Sequence, residues 1–198
     1  MNLLILMGAL AAWGIVHSLL ASLASKDFLR RKLGAGFMRL YRLGYNIFSV
    51  ISLVPVLWLM WVLPDQPLFA VPAPWKYIML AGQGIAAFLL LFGVLQTDTL
   101  SFIGLRQLVG PELKSGALVT SGLYRFVRHP LYSAGLLFLW LTPALSTNQL
   151  SVYLSATLYI FVGAYFEERK LLREYGAAYA EYKSVTPMIF PGLLFKRR

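Results

Sequence analysis

Two clusters of ionisable side chains stand out in a 198-residue chain that is only 13% charged. The first is the segment 122–132, Gly-Leu-Tyr-Arg-Phe-Val-Arg-His-Pro-Leu-Tyr, which holds two arginines and a histidine. The second is the pair Glu167 and Glu168, which follows a later apolar run. Arginine binds carboxylates and phosphates, histidine exchanges a proton near neutral pH, and carboxylates accept hydrogen bonds from amines and hydroxyls. These residue types suit a ligand that carries both positive and negative charge.

Pro130 follows Arg128 and His129 at the start of an apolar run. Proline is favoured at the first position of a helix, and the free backbone N–H groups of that turn suit an anion. The residue types match a carboxylate, an ammonium, a sulfonium and a ribose, which is the chemistry of S-adenosylmethionine. The alternative is that the clusters are ordinary interface residues, with arginines that reach lipid headgroups and glutamates in surface ion pairs.

The composition is typical of an integral membrane protein. Hydrophobic residues make up 59% of the chain and the mean hydropathy is +0.67, well above a soluble domain. A spanning helix needs about 20 apolar residues. The chain has five apolar runs, at 2–24, 44–63, 75–96, 131–146 and 150–166. We therefore predict a single all-α domain, 1–198, that forms a bundle of five transmembrane helices, of which the last two are short.

The fourth and fifth runs are joined by only Thr147-Asn148-Gln149. Such a short turn predicts an antiparallel helical hairpin. The start of the fourth helix then lies beside the end of the fifth, so Arg128-His129 and Glu167-Glu168 are expected to meet. Pro143 should bend or end the fourth helix.

The other segments predict two loops and one further helix. Residues 64–74 are too rich in proline to stay helical and predict an outer loop. Residues 97–122 predict a long cytoplasmic loop. Residues 167–183 predict a C-terminal amphipathic helix at the cytoplasmic interface, anchored by Tyr179 and Tyr182 on one face.

The basic residues predict the orientation in the membrane. All of the 18 Lys and Arg residues except Lys76 follow the first, third or fifth run. Such residues stay on the cytoplasmic side, so we expect the N-terminus outside and the C-terminus in the cytoplasm. Because its positive charges follow it, the first run is expected to be a retained span rather than a cleaved signal peptide. The net charge of +10 fits this topology and membrane lipids as partners, and no nucleic acid is expected.

Three further residues are candidates for catalysis. His17 lies inside the first run, where an ionisable group is costly and suggests function. The alternative is a neutral histidine hydrogen-bonded between helices. Arg106 and Gln107 can contact a substrate or only order their loop. No metal is expected, because the chain has no cysteine and only two widely separated histidines.

The two clusters and the residues after them resemble the isoprenylcysteine carboxyl methyltransferase and phospholipid methyltransferase superfamily. The matching motifs are 122–132, Phe166–Leu172, Glu174–Gly176, Tyr179, Tyr182 and Thr186–Pro187. The resemblance implies an integral membrane methyltransferase that uses S-adenosylmethionine at its cytoplasmic face. The residues that it assigns to the cofactor site are Arg128, His129, Pro130, Glu167 and Glu168, and we predict that Tyr124 and Tyr132 of the first motif belong to the same site.

Other motifs resemble a bacterial branch that contains methanethiol S-methyltransferases and NnrU-like membrane proteins. They are Trp13–Ser22, Tyr41–Asn46 and Phe102–Gln107, and the last, with Trp140–Pro143 and Pro187–Pro191, favours the methanethiol enzymes. This branch implies the bacterial inner membrane and a small or lipophilic methyl acceptor. The favoured reaction is S-methylation of a small or hydrophobic thiol, as in the conversion of methanethiol to dimethyl sulfide.

Several alternatives stay open at this point. They are an isoprenylcysteine carboxyl or phospholipid methyltransferase, and a non-catalytic NnrU-like protein. Isoprenylcysteine enzymes carry an arginine about one turn before the glutamate pair, whereas residues 160–164 here are uncharged. Sterol reductases also carry an Arg-His-Pro segment, but they continue with asparagine where this chain has Leu131.

Overall fold

The computed structural model describes residues 2–96, 99–109 and 117–192. Within these residues the chain is mostly helical, and it divides into two compact units. The first unit comprises Met1–Phe69, Thr97–Lys114 and Ala144–Ala156, and the second comprises Ala70–Gln96, Ser115–Pro143 and Thr157–Arg198.

The described residues form eight α-helices, one 3₁₀ helix and two short strands. The α-helices are α1 (Asn2–Ala21), α2 (Leu23–Val62), α3 (Trp75–Gln96), α4 (Thr99–Ile103), α5 (Arg106–Val109), α6 (Pro130–Trp140), α7 (Thr147–Tyr175) and α8 (Ala177–Val185). The 3₁₀ helix is Gly122–Arg125, and the strands β1 (Pro67–Ala70) and β2 (Ala144–Ser146) pair with each other. These two short strands were not predicted, because the sequence analysis predicted an all-α domain.

In the first unit, α1 packs against α2. The buried residues of α1 are Leu6, Leu10 and Gly14, which recur every fourth position and so line one face. Ser22 caps the start of α2, because its Oγ accepts from the Ser25 N–H at 3.2 Å. The helix is interrupted at Gly34, whose φ of 78° is not helical.

The short helices α4 and α5 contact α2 inside the same unit. The Nδ2 of Asn46 donates to the Ile103 carbonyl at 2.7 Å. Gly104 has a φ of +100°, and a Cβ built on it would lie 2.6 Å from the backbone N of Leu43. Glycine is therefore required here by both conformation and space. These helices lie within 97–122, which was predicted as a loop; residues 97–98 and 110–116 of that segment lie outside the described residues.

The first residues of α7 also differ from the prediction. Thr147-Asn148-Gln149 was predicted as a turn, but it is the first turn of the helix. Asp65 stabilises this helix start, because its Oδ1 accepts from the Asn148 N–H at 3.0 Å and from the Thr147 Oγ at 2.8 Å. The Nδ2 of Asn148 donates to the carbonyls of Met60 and Leu63, near the end of α2.

In the second unit, α3 packs against α6. Two hydrogen bonds show that α6 runs antiparallel to the later part of α7. One end of this α6–α7 pair is marked by the hydrogen bond from the Tyr132 hydroxyl to Glu167, and the other by the bond from Trp140 Nε1 to Thr157 Oγ1 at 3.0 Å. The predicted antiparallel arrangement is confirmed by these two bonds.

Four helices of the described residues are long and apolar enough to span a membrane: α1, α2, α3 and α7. The fourth predicted run, 131–146, forms an 11-residue helix instead, which rises only about 16 Å. It ends at Trp140 because Pro143 has no N–H to continue the helix and its ring clashes with the preceding turn. Residues 144–146 then pair as β2.

The last predicted helix, 167–183, is divided in the structure. Its first part is the end of α7, which continues to Tyr175, and its second part is α8. Gly176, with a φ of 57°, separates the two helices. Glu167 and Glu168 therefore lie within a regular helix, which fixes the spacing of their side chains.

Candidate active site

The first side of the site is the segment before α6. His129 caps the helix with a non-helical backbone, and Pro130 is its first residue. The Ser133 N–H and Ser133 Oγ both donate to the His129 carbonyl at 3.0 Å. The backbone N–H groups of Arg128 and His129 donate to the carbonyls of Pro187 and Met188 at 2.9 and 3.0 Å. The backbone of the Arg-His-Pro segment is thus held from both sides.

The predicted meeting of the two charged clusters is confirmed. The Nε and Nη2 of Arg128 lie 2.6 and 2.5 Å from the Oε1 of Glu168, and both side chains are buried. The Nζ of Lys183 lies 2.8 Å from the other carboxylate oxygen. Removing a charge pair from water is costly unless all its donors and acceptors are satisfied. Lys183, which the sequence analysis did not single out, helps to meet that condition.

Arg128 also binds the C-terminal segment. Its Nη1 donates to the carbonyl of Thr186 and, at 3.1 Å, to the carbonyl of Lys183. The guanidinium is thereby shared between the end of α7 and the end of α8. Protein acceptors thus already bind three of its nitrogens. The cofactor contact that the sequence analysis assigns to Arg128 stays a prediction.

His129 lies between the two glutamates. Its Nδ1 is 3.7 Å from the Oε2 of Glu167, and its Nε2 is 3.5 Å from the Oε1 of Glu168. The imidazole ring stacks on the ring of Tyr132, with centroids 5.2 Å apart, and the Tyr132 hydroxyl donates to Glu167 at 2.8 Å. Glu167 remains 45% exposed on its side chain, whereas Glu168 is 6% exposed. The two glutamates therefore differ in what can reach them.

Burial of His129 lowers the pKa of its imidazole below the ordinary value, although the carboxylates of Glu167 and Glu168 act in the opposite direction. The neutral form is favoured. A neutral imidazole offers one donor nitrogen and one acceptor nitrogen, so His129 can either bind a ligand or receive a proton.

Two tyrosines of α8 lie beside the site, near Arg128 and Tyr124. Burial raises the pKa of Tyr179 and of Tyr182 to about 12 in each case, so both stay protonated. The Tyr182 hydroxyl donates to the Tyr124 carbonyl at 2.6 Å and fixes the 3₁₀ helix. We predicted these tyrosines as interface anchors from their spacing of three residues. The spacing correctly indicated a shared face, but that face is buried in the unit.

Two polar atoms of the site have no hydrogen-bond partner among the residues that the structure describes. They are the Nε2 of His129 and the hydroxyl of Tyr179, and both are buried. A buried polar group without a partner costs about 1 to 3 kcal/mol. The Nε2 of His129 lies 3.5 Å from the Oε1 of Glu168, and the Tyr179 hydroxyl lies near the guanidinium of Arg128. Together with the partly exposed Glu167 carboxylate, these groups fit the amine and hydroxyl groups of S-adenosylmethionine.

The three candidate catalytic residues belong to the first unit. His17 is half-buried between α1 and α2, where its Nδ1 lies 3.0 Å from the Ser49 Oγ and its Nε2 lies 2.6 Å from the Tyr45 hydroxyl. Gln107 donates from Nε2 to the Ser101 carbonyl at 3.2 Å and so ties α5 to α4. Arg106 is exposed at the start of α5. Their roles stay predictions.

Comparison with known proteins gives the family. A model described as phospholipid methyltransferase matches residues 79–178, about half of the chain, and this range includes both charged clusters. The chain belongs to the phospholipid methyltransferase family. As a member of that family with four helices of spanning length, it is an integral membrane methyltransferase.

Three curated relatives that the chain is similar to are all named methanethiol S-methyltransferase. Methanethiol S-methyltransferase 2 of Bradyrhizobium diazoefficiens is 30% identical over 96% of this chain and 73% of its own length. Methanethiol S-methyltransferase 1 of the same organism is 32% identical over 76% of this chain and 54% of its own length. A methanethiol S-methyltransferase of Pseudomonas sp. is 33% identical over 86% of this chain and 67% of its own length. No solved structure matches the chain significantly.

Proposed function

We propose that this methyltransferase transfers a methyl group from S-adenosylmethionine to a small or hydrophobic thiol of the methanethiol type, with dimethyl sulfide as a product. The observation that carries the proposal is the partly exposed Glu167 carboxylate, 3.7 Å from His129 Nδ1 and beside the buried Arg128–Glu168 ion pair. The names of the relatives support the thiol acceptor.

The cofactor site is proposed to comprise Tyr124, Arg128, His129, Pro130, Tyr132, Glu167 and Glu168. Glu167 is exposed enough to accept from an ammonium or ribose hydroxyls, and Tyr132 holds one of its oxygens. Glu168 is buried, so it orients Arg128 and His129 and adds negative charge. When bound, S-adenosylmethionine supplies an electrophilic methyl group on a positively charged sulfur.

The protein's part in the reaction is to align the reactants and exclude water. A thiolate and a sulfonium neutralise each other during methyl transfer, so a dry site favours the transition state over bulk water. Alignment supplies much of the remaining rate enhancement. The reaction needs no covalent nucleophile, but the thiol must lose its proton. His129 and His17 are the proposed candidates for that role, with Arg106 and Gln107 as further substrate contacts.

The orientation is part of the proposal. The basic residues favour the N-terminus outside and the C-terminus in the cytoplasm of a bacterial inner membrane. Opposite termini require an odd number of crossings, so α6 and the residues up to Ser146 must complete a fifth. The 11 residues of α6 rise about 16 Å, so the turn after Trp140 and the short strand β2 would have to cover the rest of the roughly 30 Å of hydrocarbon.

The full chain, in membranes of a host that lacks the activity, provides the test. Methanethiol and S-adenosylmethionine are added and headspace dimethyl sulfide is measured. We expect product from the wild-type protein and much less from Glu167→Gln. The matched control is Glu174→Gln, which changes an exposed carboxylate two turns further along α7. Cofactor binding without any dimethyl sulfide would overturn the thiol acceptor.

One second acceptor deserves the same assay, because the matching family model is named for phospholipids. Vesicles that contain phosphatidylethanolamine replace methanethiol, and methylated lipid is measured. Methylation of the lipid amine without methylation of the thiol would favour this second function.

A further inference from the structure

A groove in the second unit lies beside α6, where α7 and the C-terminal segment approach that helix. It encloses about 220 Å³. Its lining residues are Leu136, Leu137, Trp140, Leu141, Thr157 and Phe190. The two of them with polar side-chain atoms bond each other, because Trp140 Nε1 donates to Thr157 Oγ1 at 3.0 Å. The rest of the lining is aliphatic or aromatic, so the groove suits an apolar ligand.

One face of α6 connects this groove to the candidate active site. The spacing i, i+3, i+4 and i+7, which places side chains on one side of a helix, is that of Ser133, Leu136, Leu137 and Trp140. Ser133 stands at the active-site end of this row, because its N–H donates to the His129 carbonyl at 3.0 Å. The groove therefore begins one helical turn from a residue that holds the backbone of His129.

Phe190 makes the same connection from the C-terminal segment. The carbonyl of Ile189, the preceding residue, is in hydrogen-bond contact with the Ser133 Oγ. The carbonyl of Met188 accepts from the His129 N–H at 3.0 Å. The segment that fixes the backbone of His129 thus also supplies one wall of the groove. Both α6 and the C-terminal segment place the groove next to the candidate active site.

The size of the groove limits what it can hold. Because a helix rises 1.5 Å per residue, Ser133 and Trp140 are about 10 Å apart along α6, which is close to the length of an extended octyl chain. The bond between Trp140 and Thr157 marks the end away from Ser133. The enclosed volume is below the roughly 300 to 1,000 Å³ of sites for drug-sized molecules, so the groove suits one short chain rather than the paired acyl chains of a phospholipid.

We propose that this groove binds the alkyl chain of the methyl acceptor, and that Leu137, Trp140 and Phe190 determine which chain lengths are accepted. The acceptor class is an unbranched alkyl thiol of up to about eight carbons, from the length of the helix face. A thiol has one substituent on sulfur, so a sulfur held at the Ser133 end directs its chain along the groove. This inference rests on the proposed thiol methyltransferase function and deepens it, because methanethiol has no chain that reaches the groove.

Partition of thiols into the membrane makes a different prediction. Long-chain thiols concentrate in lipid whether or not the protein binds the chain, because lipid tails are as apolar as a protein interior. Such enrichment lowers the apparent KM of every variant to the same extent. Binding in the groove instead makes the chain-length preference depend on the side chains that line it.

The test measures methylation of methanethiol, octanethiol and dodecanethiol by the full-length protein in membranes of one lipid composition. Leu137→Trp narrows the groove, and Leu137 is 44% exposed, so the larger ring does not enter a packed core. The matched control is Leu158→Trp, the same exchange at a residue of α7 that is 64% exposed and does not line the groove. Trp140→Leu is the second variant, because it shortens the side chain at the far end.

We expect Leu137→Trp to lower kcat/KM for octanethiol about tenfold or more relative to methanethiol, because even one methylene in an apolar pocket changes discrimination by about that factor. Leu158→Trp should keep the wild-type ratio. Trp140→Leu should raise kcat/KM for dodecanethiol relative to octanethiol, a gain that damaged packing does not produce and that decides the matter if Leu137→Trp does not fold.

Equal chain-length ratios in the wild type and every variant would overturn the groove as an acceptor site while leaving the methyltransferase function intact. Methylation of methanethiol without methylation of octanethiol by the wild type would have the same meaning. If wild-type protein that binds S-adenosylmethionine methylates no thiol, the proposed function fails and the acceptor groove fails with it.

Discussion

The Nε of Arg128 donates to the Oε1 of Glu168 at 2.6 Å, and the two side chains are 8% and 6% exposed. This contact joins the start of α6 to the end of α7 in the second unit. The same guanidinium binds the carbonyls of Lys183 and Thr186, so it also holds the C-terminal segment. One arginine thus orders three segments around the candidate active site.

We predict that Arg128→Ala destabilises the protein by about 3 to 5 kcal/mol, because it leaves the Glu168 carboxylate buried without its main partner. Cofactor affinity should fall as well. Thermal unfolding in detergent and titration with S-adenosylmethionine measure the two effects. Arg125→Ala is the control, since Arg125 is exposed in the neighbouring 3₁₀ helix. An unfolding temperature that is equal in both variants would contradict this prediction.

The approach of Arg128 to Glu168 could be predicted from the sequence, because a short connection between two apolar runs leaves few arrangements. The partners from the C-terminal segment could not. Lys183 and the carbonyl of Thr186 lie more than fifty residues after Arg128 in the chain, and no local pattern relates them. Likewise, the pairing of β2 with β1 depends on a distant segment, so only the end of α6 near Pro143 could be anticipated.

The burial of Tyr179 and Tyr182 illustrates a second limit. A spacing of three residues shows that two side chains share a helix face. It does not show whether that face meets lipid or protein, because lipid tails are as apolar as a protein interior. In the structure this face lies toward Arg128 and Tyr124, and the Tyr182 hydroxyl donates to the Tyr124 carbonyl.

The two glutamates should differ when each is changed to glutamine. Glu167→Gln leaves the fold intact because its side chain is 45% exposed, but it should weaken cofactor binding by about tenfold or more, as expected for a hydrogen bond to a charged group. Isothermal titration of the full-length protein measures the affinity. Glu174→Gln should bind like the wild type. An unchanged affinity for Glu167→Gln would remove this residue from the cofactor site.

Stability should depend on pH through His129. Burial lowers the pKa of this histidine in the folded protein, so between that pKa and the unfolded value of about 6.5 the unfolded chain binds more protons. The stability that this histidine contributes is fully present above about pH 6.5 and decreases as the pH falls below it. Unfolding temperatures across this range, for wild type and His129→Gln, measure the effect. A variant that loses stability as steeply as the wild type on acidification would contradict it.

Gly104 provides a test of how the loop motif near Arg106 and Gln107 is held. Its φ of +100° is strained for any side chain, and an added Cβ would lie 2.6 Å from the backbone N of Leu43. Gly104→Ala should therefore destabilise the protein by more than about 1 kcal/mol. Gly36→Ala is the matched control in α2, because a Cβ there meets no atom within 4 Å and alanine favours a helix. Limited proteolysis and thermal unfolding measure both variants, and similar behaviour of the two would show that the approach of Gly104 to α2 is not required. Arg106 and Gln107, the proposed acceptor contacts, follow Gly104 within three residues, and Asn46 holds the neighbouring Ile103 carbonyl. We therefore also expect Gly104→Ala to reduce turnover more than cofactor affinity.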